Sequence, residues 1–280
     1  MSYDLRPLAG GFGARVICNL GNPPEGKLAQ ELLRELRRYR FLVFSGQHLN
    51  HADLLRAAAV FGPVDTDVDH AYEVPGFPGI TVISNVFDNG RPIGIYDGDH
   101  EEEWHADNSF KPRLTSATVL YSVIAPAEGG ETRLADATRA YDDLPPVLKE
   151  EINPLNAVHS IARLGARQAE APGGRSSAAD GALASAPEVE HPLVTVHPAT
   201  LRNSLLLGSM VVEDVVGMDP AASKKLLSHL LEWATQDRYV HRHAWSEGDL
   251  LVWDNLAVLH TASPCDHTRE HRLLYRVAVS

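Results

Sequence analysis

The chain carries only two cysteines, Cys18 and Cys265, in 280 residues. That excludes a disulfide framework and makes a reducing compartment the simpler reading. No apolar run approaches the roughly 18 residues a membrane helix needs, so no membrane partner is expected. The opening stretch MSYDLRPLAGGFGARV lacks the charged-then-apolar layout of a secretory signal, and the expectation is a cytoplasmic protein. Positive charge is also scarce: 25 basic residues face 37 acidic ones, for a net charge of −12. Holding a phosphate backbone calls for the opposite balance, so no nucleic-acid partner is expected. Repeats and a linker between two cores are both missing, which favours a single domain over 1–280. A hydrophobic fraction of 44% and a charged fraction of 22% suffice for an ordinary core. The surplus is in histidine, of which there are 14.

The first third alternates helical and extended patterns. Leu28, Leu32, Leu33 and Leu36 recur at helical spacing and predict an amphipathic helix over 26–38. Residues 41–44 form a short apolar run of strand length. Asn50 is placed to cap a second helix that ends before Gly62-Pro63. Short strands with turn punctuation follow, expected at 80–84, 115–124, 156–161, 193–196, 203–207, 239–245, 250–253 and 273–279. That many short strands predict a β-sandwich or barrel rather than βαβ units. Residues 166–187 are rich in Ala, Gly, Ser and Pro without apolar periodicity, and read as a mobile loop or lid. Asp219-Pro220 opens a helix whose buried stripe is Leu226, Leu227, Leu230, Leu231 and Ala234.

The chemistry begins at Trp104-His105-Ala106-Asp107. On a strand end, side chains two apart share a face, so an imidazole and a carboxylate stand together. One distant histidine would complete a two-histidine, one-carboxylate triad that leaves half of an octahedral iron(II) open. Alone, the pair reads equally as a hydrogen-bonded couple. The strand Leu250-Leu251-Val252-Trp253-Asp254-Asn255 then leads to His260, with Arg272 and Arg276 beyond it. Arginines an even number apart on a strand face the same pocket, where a guanidinium can grip a carboxylate through paired hydrogen bonds. Surface ion pairs are the commoner fate of arginines.

The segments VISNVFDNGRPIG (82–94), EWHADNSF (103–110), APAEGGETRLADATRAYDDLP (125–145), HPLVTVHPAT (191–200) and GDLLVWDNLAVLHTASPCDHTREHRLLYRV (248–277) occur in a telling order. In these the chain resembles the taurine/2,4-D dioxygenase family of iron(II)- and 2-oxoglutarate-dependent oxygenases, over nearly all of its length from about residue 25 onward. The resemblance implies a mainly β fold, a double-stranded β-helix (jelly roll) with helices packed on one side. It implies iron(II), 2-oxoglutarate and O2 as cofactors, with succinate and CO2 released as a C–H bond is oxidised. By position, His105, Asp107 and His260 match the metal ligands, Thr132 and Arg272 the residues that hold 2-oxoglutarate, and Arg276 an arginine that holds the substrate's anionic group.

The chain departs from the family after Phe61-Gly62. A histidine-rich stretch found in some members is here Pro63-Val64-Asp65-Thr66-Asp67-Val68-Asp69, with His70 at its end as a candidate substrate contact. These carboxylates, with Glu101-Glu102-Glu103, disfavour a sulfonate or sulfate. They suit a small carboxylate-bearing substrate that also carries an amine, an amino acid or natural-product intermediate. A homo-oligomer is compatible with the sequence. His241 and His243 are a competing metal pair that lacks a carboxylate, and His243 is equally able to pack on Trp245. Cys265 reads as a small buried side chain, and Trp104 and Trp253 as core beneath the site. Two other readings stay open at this level: a β-barrel hydrolase or isomerase using the same ligands, and a non-catalytic sensor of a small acid.

Overall fold

In a computed structural model the chain is mainly β, with helices packed along its sheets. The structure describes residues 3–66, 72–96, 102–170 and 185–280. An eight-stranded sheet runs in the order Asp4–Pro7, Ala14–Ile17, Phe41–Phe44, Leu250–Asp254, Ala117–Ile124, Leu273–Val279, Ile80–Ser84, Ile95–Tyr96. Its central strands are mostly apolar because both faces are covered, with polar side chains such as Thr118 and Arg276 on the inner face. Alternation decides which residue goes where. Leu250, Val252, Val119, Tyr121, Val277 and Val279 face one side, where they meet Leu32 and Leu36 of helix Gly26–Tyr39 and Leu54 and Ala57 of helix His51–Ala58. The shorter helix starts as its sequence suggests. Asn50 accepts from the Asp53 N–H and Asp53 reaches back to the Asn50 N–H, a reciprocal cap.

Leu251, Trp253, Leu120 and Leu274 point the other way, toward a second, three-stranded antiparallel sheet in the order Val240–His243, Thr132–Asp136, Val258–Ala262. Leu134 and Val258 of that sheet close the space between the layers. Its outer face, with Ala135 and Leu259, is covered by Leu230 and Ala234 of helix Pro220–Ala234, together with Tyr141 and Tyr239. Asp219 caps this helix through the N–H groups of Ala221 and Ala222, with Pro220 in the first turn, as its sequence suggests. Among the described residues no helix is long and apolar enough to cross a membrane.

Three expectations need correction. The proposed loop over 166–187 begins inside helix Ile161–Glu170, and residues 171–184 lie outside the described residues. Tertiary contacts fix that helix: Leu164 is buried, Arg163 pairs with Glu188 and Asp214, and Arg167 pairs with Glu213. The strand expected at 156–161 stops at His159, because Ile161 already belongs to the helix. Two short helices, Ala137–Asp142 and Pro146–Ile152, occupy ground where none was expected, the first capped by Asp136.

Candidate metal centre

His105 lies on a single antiparallel bridge rather than on a full strand. Its N–H donates to His260 O at 3.0 Å, and its carbonyl oxygen accepts the reciprocal bond from the His260 N–H at 2.8 Å. These two bonds tie the segment before Asp107 to strand Val258–Ala262. Asn255 fastens the next residue by accepting from the Asp107 N–H and donating to the Asp107 carbonyl, both at 2.9 Å. Gly208 lets a third segment approach, since a Cβ there would stand 2.7 Å from Trp104 O and 2.9 Å from His105 Cα. The backbone beneath both residues is therefore held from three directions.

The side chains converge. One ligand atom from each of His105, Asp107 and His260 lies within 4.8 Å of the others, and all three residues are buried. Asp107 Oδ1 is 3.9 Å from His105 Nε2, and Asp107 Oδ2 is 3.6 Å from His260 Nε2. The His105 Nδ1 lies 2.7 Å from Glu103 O, a contact that requires the proton on Nδ1 and leaves the Nε2 lone pair for a metal. Burial would raise the Asp107 pKa, but the surrounding His260, Arg276 and His105 charges and the Thr118 hydroxyl bring it down to about 2. Burial, helped by His105 and opposed by Asp107, pushes His260 down to about 3. A carboxylate and the neutral His260 imidazole thus coexist at neutral pH beside the His105 Nε2, a donor set suited to a divalent transition metal with open coordination positions.

Arg276 lies on strand Leu273–Val279, and Arg272 immediately precedes it. Arg276 Nη1 donates to Asp107 Oδ1 at 3.2 Å, with its side chain 24% exposed. Arg272 is fully buried and donates to Gly130 O, and burial pushes its guanidinium down to about 10. Gly130, at φ +66°, has no room for a side chain: a Cβ would sit 3.2 Å from Arg272 Cδ. Thr132 is buried on the facing sheet, and its Oγ1 accepts from Trp245 Nε1 at 3.1 Å. With a lone pair so occupied, the Thr132 hydroxyl proton is free to point elsewhere. Asn85 Oδ1 accepts from the Arg272 N–H at 2.8 Å, while its amide donates to Glu270 O, so the turn that delivers Arg272 is stapled to strand Ile80–Ser84 and the residue following it.

The remaining candidates separate from this centre. His70 lies outside the described residues. His243 packs edge-on against Trp245, ring centroids 4.6 Å apart, and His241 tilts against Phe41. Among the described residues neither joins a group of three metal-binding side chains. His197 donates to Asp254 and accepts from the N–H groups of Ala199 and Thr200. Trp253 is fully buried beneath His260, ring centroids 4.6 Å apart, and Cys265 is buried. Sequence reasoning missed Thr118, whose hydroxyl donates to Asp107 Oδ2 at 2.7 Å. Strand alternation could have found it, since Thr118 and Leu120 share the inner face. It also gave no role to Asn255. Of the acidic residues it flagged that are among the described residues, Asp65 is paired with Lys111 at 3.2 Å, Glu103 is exposed, and Glu102 comes closest to the candidate ligands, its Oε1 4.0 Å from His105 Nε2.

Residues 4–278 match the family model described as taurine catabolism dioxygenase TauD, TfdA family. The chain is 32% identical over 275 residues to the (S)-phenoxypropionate/alpha-ketoglutarate-dioxygenase of Sphingobium herbicidovorans, covering 96% of this chain and 92% of that protein. It is 32% identical over 252 residues to the alpha-ketoglutarate-dependent 2,4-dichlorophenoxyacetate dioxygenase of Cupriavidus pinatubonensis, covering 87% and 86%. Among solved structures, AAD-2 in complex with Mn(II) and N-oxalylglycine superimposes with a TM-score of 0.81 at 28% identity, covering 100% of this chain and 97% of that one.

Proposed function

Because the chain belongs to the taurine catabolism dioxygenase TauD, TfdA family and is a 2-oxoglutarate-dependent non-haem iron dioxygenase, we propose that it oxidises a C–H bond of a small, acid-bearing substrate, most simply by hydroxylation. Its cofactors are iron(II), 2-oxoglutarate and dioxygen. In this reading the two facing sheets are the walls of a double-stranded β-helix, or jelly roll, within one domain. His105, Asp107 and His260 hold the metal, Thr132 and Arg272 hold 2-oxoglutarate, and Arg276 anchors the substrate's acid group. The convergence of three buried donor atoms on one point carries the reading.

When bound, iron(II) would let dioxygen oxidise 2-oxoglutarate and the substrate together, one oxygen atom passing to succinate as CO2 is lost and the other to the substrate C–H bond. The protein's share is preparation and placement. Asp107 is ionised and His260 neutral across the physiological range, so the site needs no proton release to accept a cation. Arg272 offers a desolvated guanidinium on which an ω-carboxylate can find a counter-charge, and the fork geometry fixes its orientation. The Trp245 N–H holds the Thr132 oxygen so that the hydroxyl can donate to a cosubstrate carboxylate. Trp253, Leu120 and Leu134 line the space between the sheets and keep water from it. Arg276, adjacent to Asp107, sets the substrate's distance from the metal. Two relatives are named for aryloxy carboxylic acids, which supports a carboxylate on this chain's substrate, amino acids and natural-product intermediates included.

The test is oxygen uptake and succinate formation by the iron(II)-loaded protein, supplied with 2-oxoglutarate and a panel of small acids. Equimolar uptake and succinate, lost in His105→Ala, is the expected result. Full turnover by that variant would refute the ligand assignment. Absence of any 2-oxoglutarate-dependent uptake would refute the activity.

A further inference from the structure

The segment entering the metal centre does not pair regularly. Continued antiparallel pairing from the His105–His260 bridge would set residue 103 opposite Ala262. Instead the Glu102 N–H donates to Ala262 O at 3.1 Å, and the Thr261 hydroxyl donates to Glu102 O. One extra residue is thus accommodated between Glu102 and His105, as in a β-bulge, and it exchanges the facing of Glu102 and Glu103. Glu103 turns out to solvent. Glu102 turns in, its Oε1 4.0 Å from His105 Nε2 and its side chain 37% exposed.

Among the described residues, Glu102 does not join the cluster formed by His105, Asp107 and His260. Its carboxylate stands on the rim beside His105, with access to solvent. Arg276 holds the corresponding place beside Asp107, 3.2 Å from Oδ1 and also partly exposed. A carboxyl group beside His105 and a guanidinium beside Asp107 therefore border the centre, where His105 Nε2 and Asp107 Oδ1 are themselves 3.9 Å apart; burial raises the Glu102 pKa, and a docked cation would bring it back toward the charged form.

Resting on the oxygenase reading above, we propose that Glu102 and Arg276 together select a zwitterion: a small amino acid whose carboxylate docks on Arg276 and whose ammonium docks on Glu102. A planar carboxylate suits the guanidinium fork, and an ammonium suits a lone carboxylate with two acceptor oxygens. A substrate with an acid group alone would meet Glu102 as a repulsive neighbour, so the residue selects against it as well as for its partner.

The experiment uses the full chain loaded with zinc(II), a diamagnetic stand-in for iron(II), and 2-oxoglutarate. Binding is read by ligand-observed saturation-transfer NMR with the common amino acids, each paired with its des-amino carboxylic acid, and with taurine as a sulfonate arm. At least one amino acid is expected to bind about tenfold tighter than its des-amino partner. Glu102→Gln should weaken the amino acid and tighten the des-amino acid, closing the gap, and Glu102→Asp should keep the preference. Equal binding of the two partners by the unaltered protein overturns the proposal. So does a preference that survives Glu102→Gln, binding of taurine alone, or no amino-acid binding at all. Saturation transfer to 2-oxoglutarate in the same samples keeps the two readings apart. Its loss in the unaltered protein counts against the oxygenase site itself, whereas its presence beside any of those outcomes counts against Glu102 alone.

Discussion

The Thr118 hydroxyl donates to Asp107 Oδ2 across 2.7 Å, from the middle of the large sheet to a carboxylate on an irregular segment. Oxygens of this kind must hold one rotamer if they are to meet a metal, and a partner on a rigid strand is the way to hold it. Thr118→Val keeps the side-chain shape and removes only the donor. Metal affinity should fall about 10–100-fold, with Thr118→Ser recovering most of it. Competition with a coloured chelator measures this, and an unchanged dissociation constant would contradict the positioning role.

Arg272→Gln removes a charge from a site with no solvent to replace it. If the ω-carboxylate of 2-oxoglutarate docks there, the substitution costs about 2–5 kcal/mol of cosubstrate binding. The 2-oxoglutarate concentration for half-saturation should rise steeply while metal affinity changes little. A half-saturation point equal to that of the unaltered protein would place the cosubstrate elsewhere.

Gly208→Ala tests the approach of the third segment to the ligands. The new methyl would meet backbone atoms, Trp104 O at 2.7 Å and His105 Cα at 2.9 Å, neither of which can rotate away. Displacement of a few tenths of an ångström should be transmitted to His105. Metal affinity is expected to drop while the far-UV spectrum stays native. Retention of full affinity would show that this segment can yield.

His159 is fully buried, and burial together with neighbouring His191 lowers its pKa from 6.5 to about 4. Above pH 6.5 the ring is neutral whether the chain is folded or not. As pH falls below that, the unfolded chain takes up a proton that the folded one refuses, and stability declines until about pH 4, by roughly 3 kcal/mol for this one residue. Denaturant midpoints of the metal-free protein across this window should show a steeper pH slope than those of His159→Leu. Equal slopes would mean that the ring is charged, or reached by water, in the folded state.

The candidate metal centre was legible in the sequence to the extent that its parts obey local spacing. His105 and Asp107 are two apart, His260 follows the expected strand at 250–253, although its own strand Val258–Ala262 was not expected, and Arg272 and Arg276 keep an even interval. Glu102 was not legible, because its direction depends on one accommodated residue against Ala262, and pairing irregularities between distant segments leave no local trace. Thr118 was hidden for a different reason: its strand is apolar on both faces, so a single hydroxyl among Ala117, Val119 and Leu120 looks like filler until the opposing segment is known. Helix Ile161–Glu170 escaped because its hold on the fold comes from Arg163 and Arg167 reaching acidic partners, not from an apolar stripe.

The Asn255 clamp spans 148 positions of chain to reach Asp107. Such a contact is among the slowest to form in a folding polypeptide, since the intervening loop must first be brought to order. A nascent chain that has yet to deliver its last strands presents only His105 and Asp107 of the three candidate ligands. If these three residues hold the metal, cation capture should therefore wait for strand Val258–Ala262 to pair with the segment at His105, which ties the order of folding to the order of metal loading.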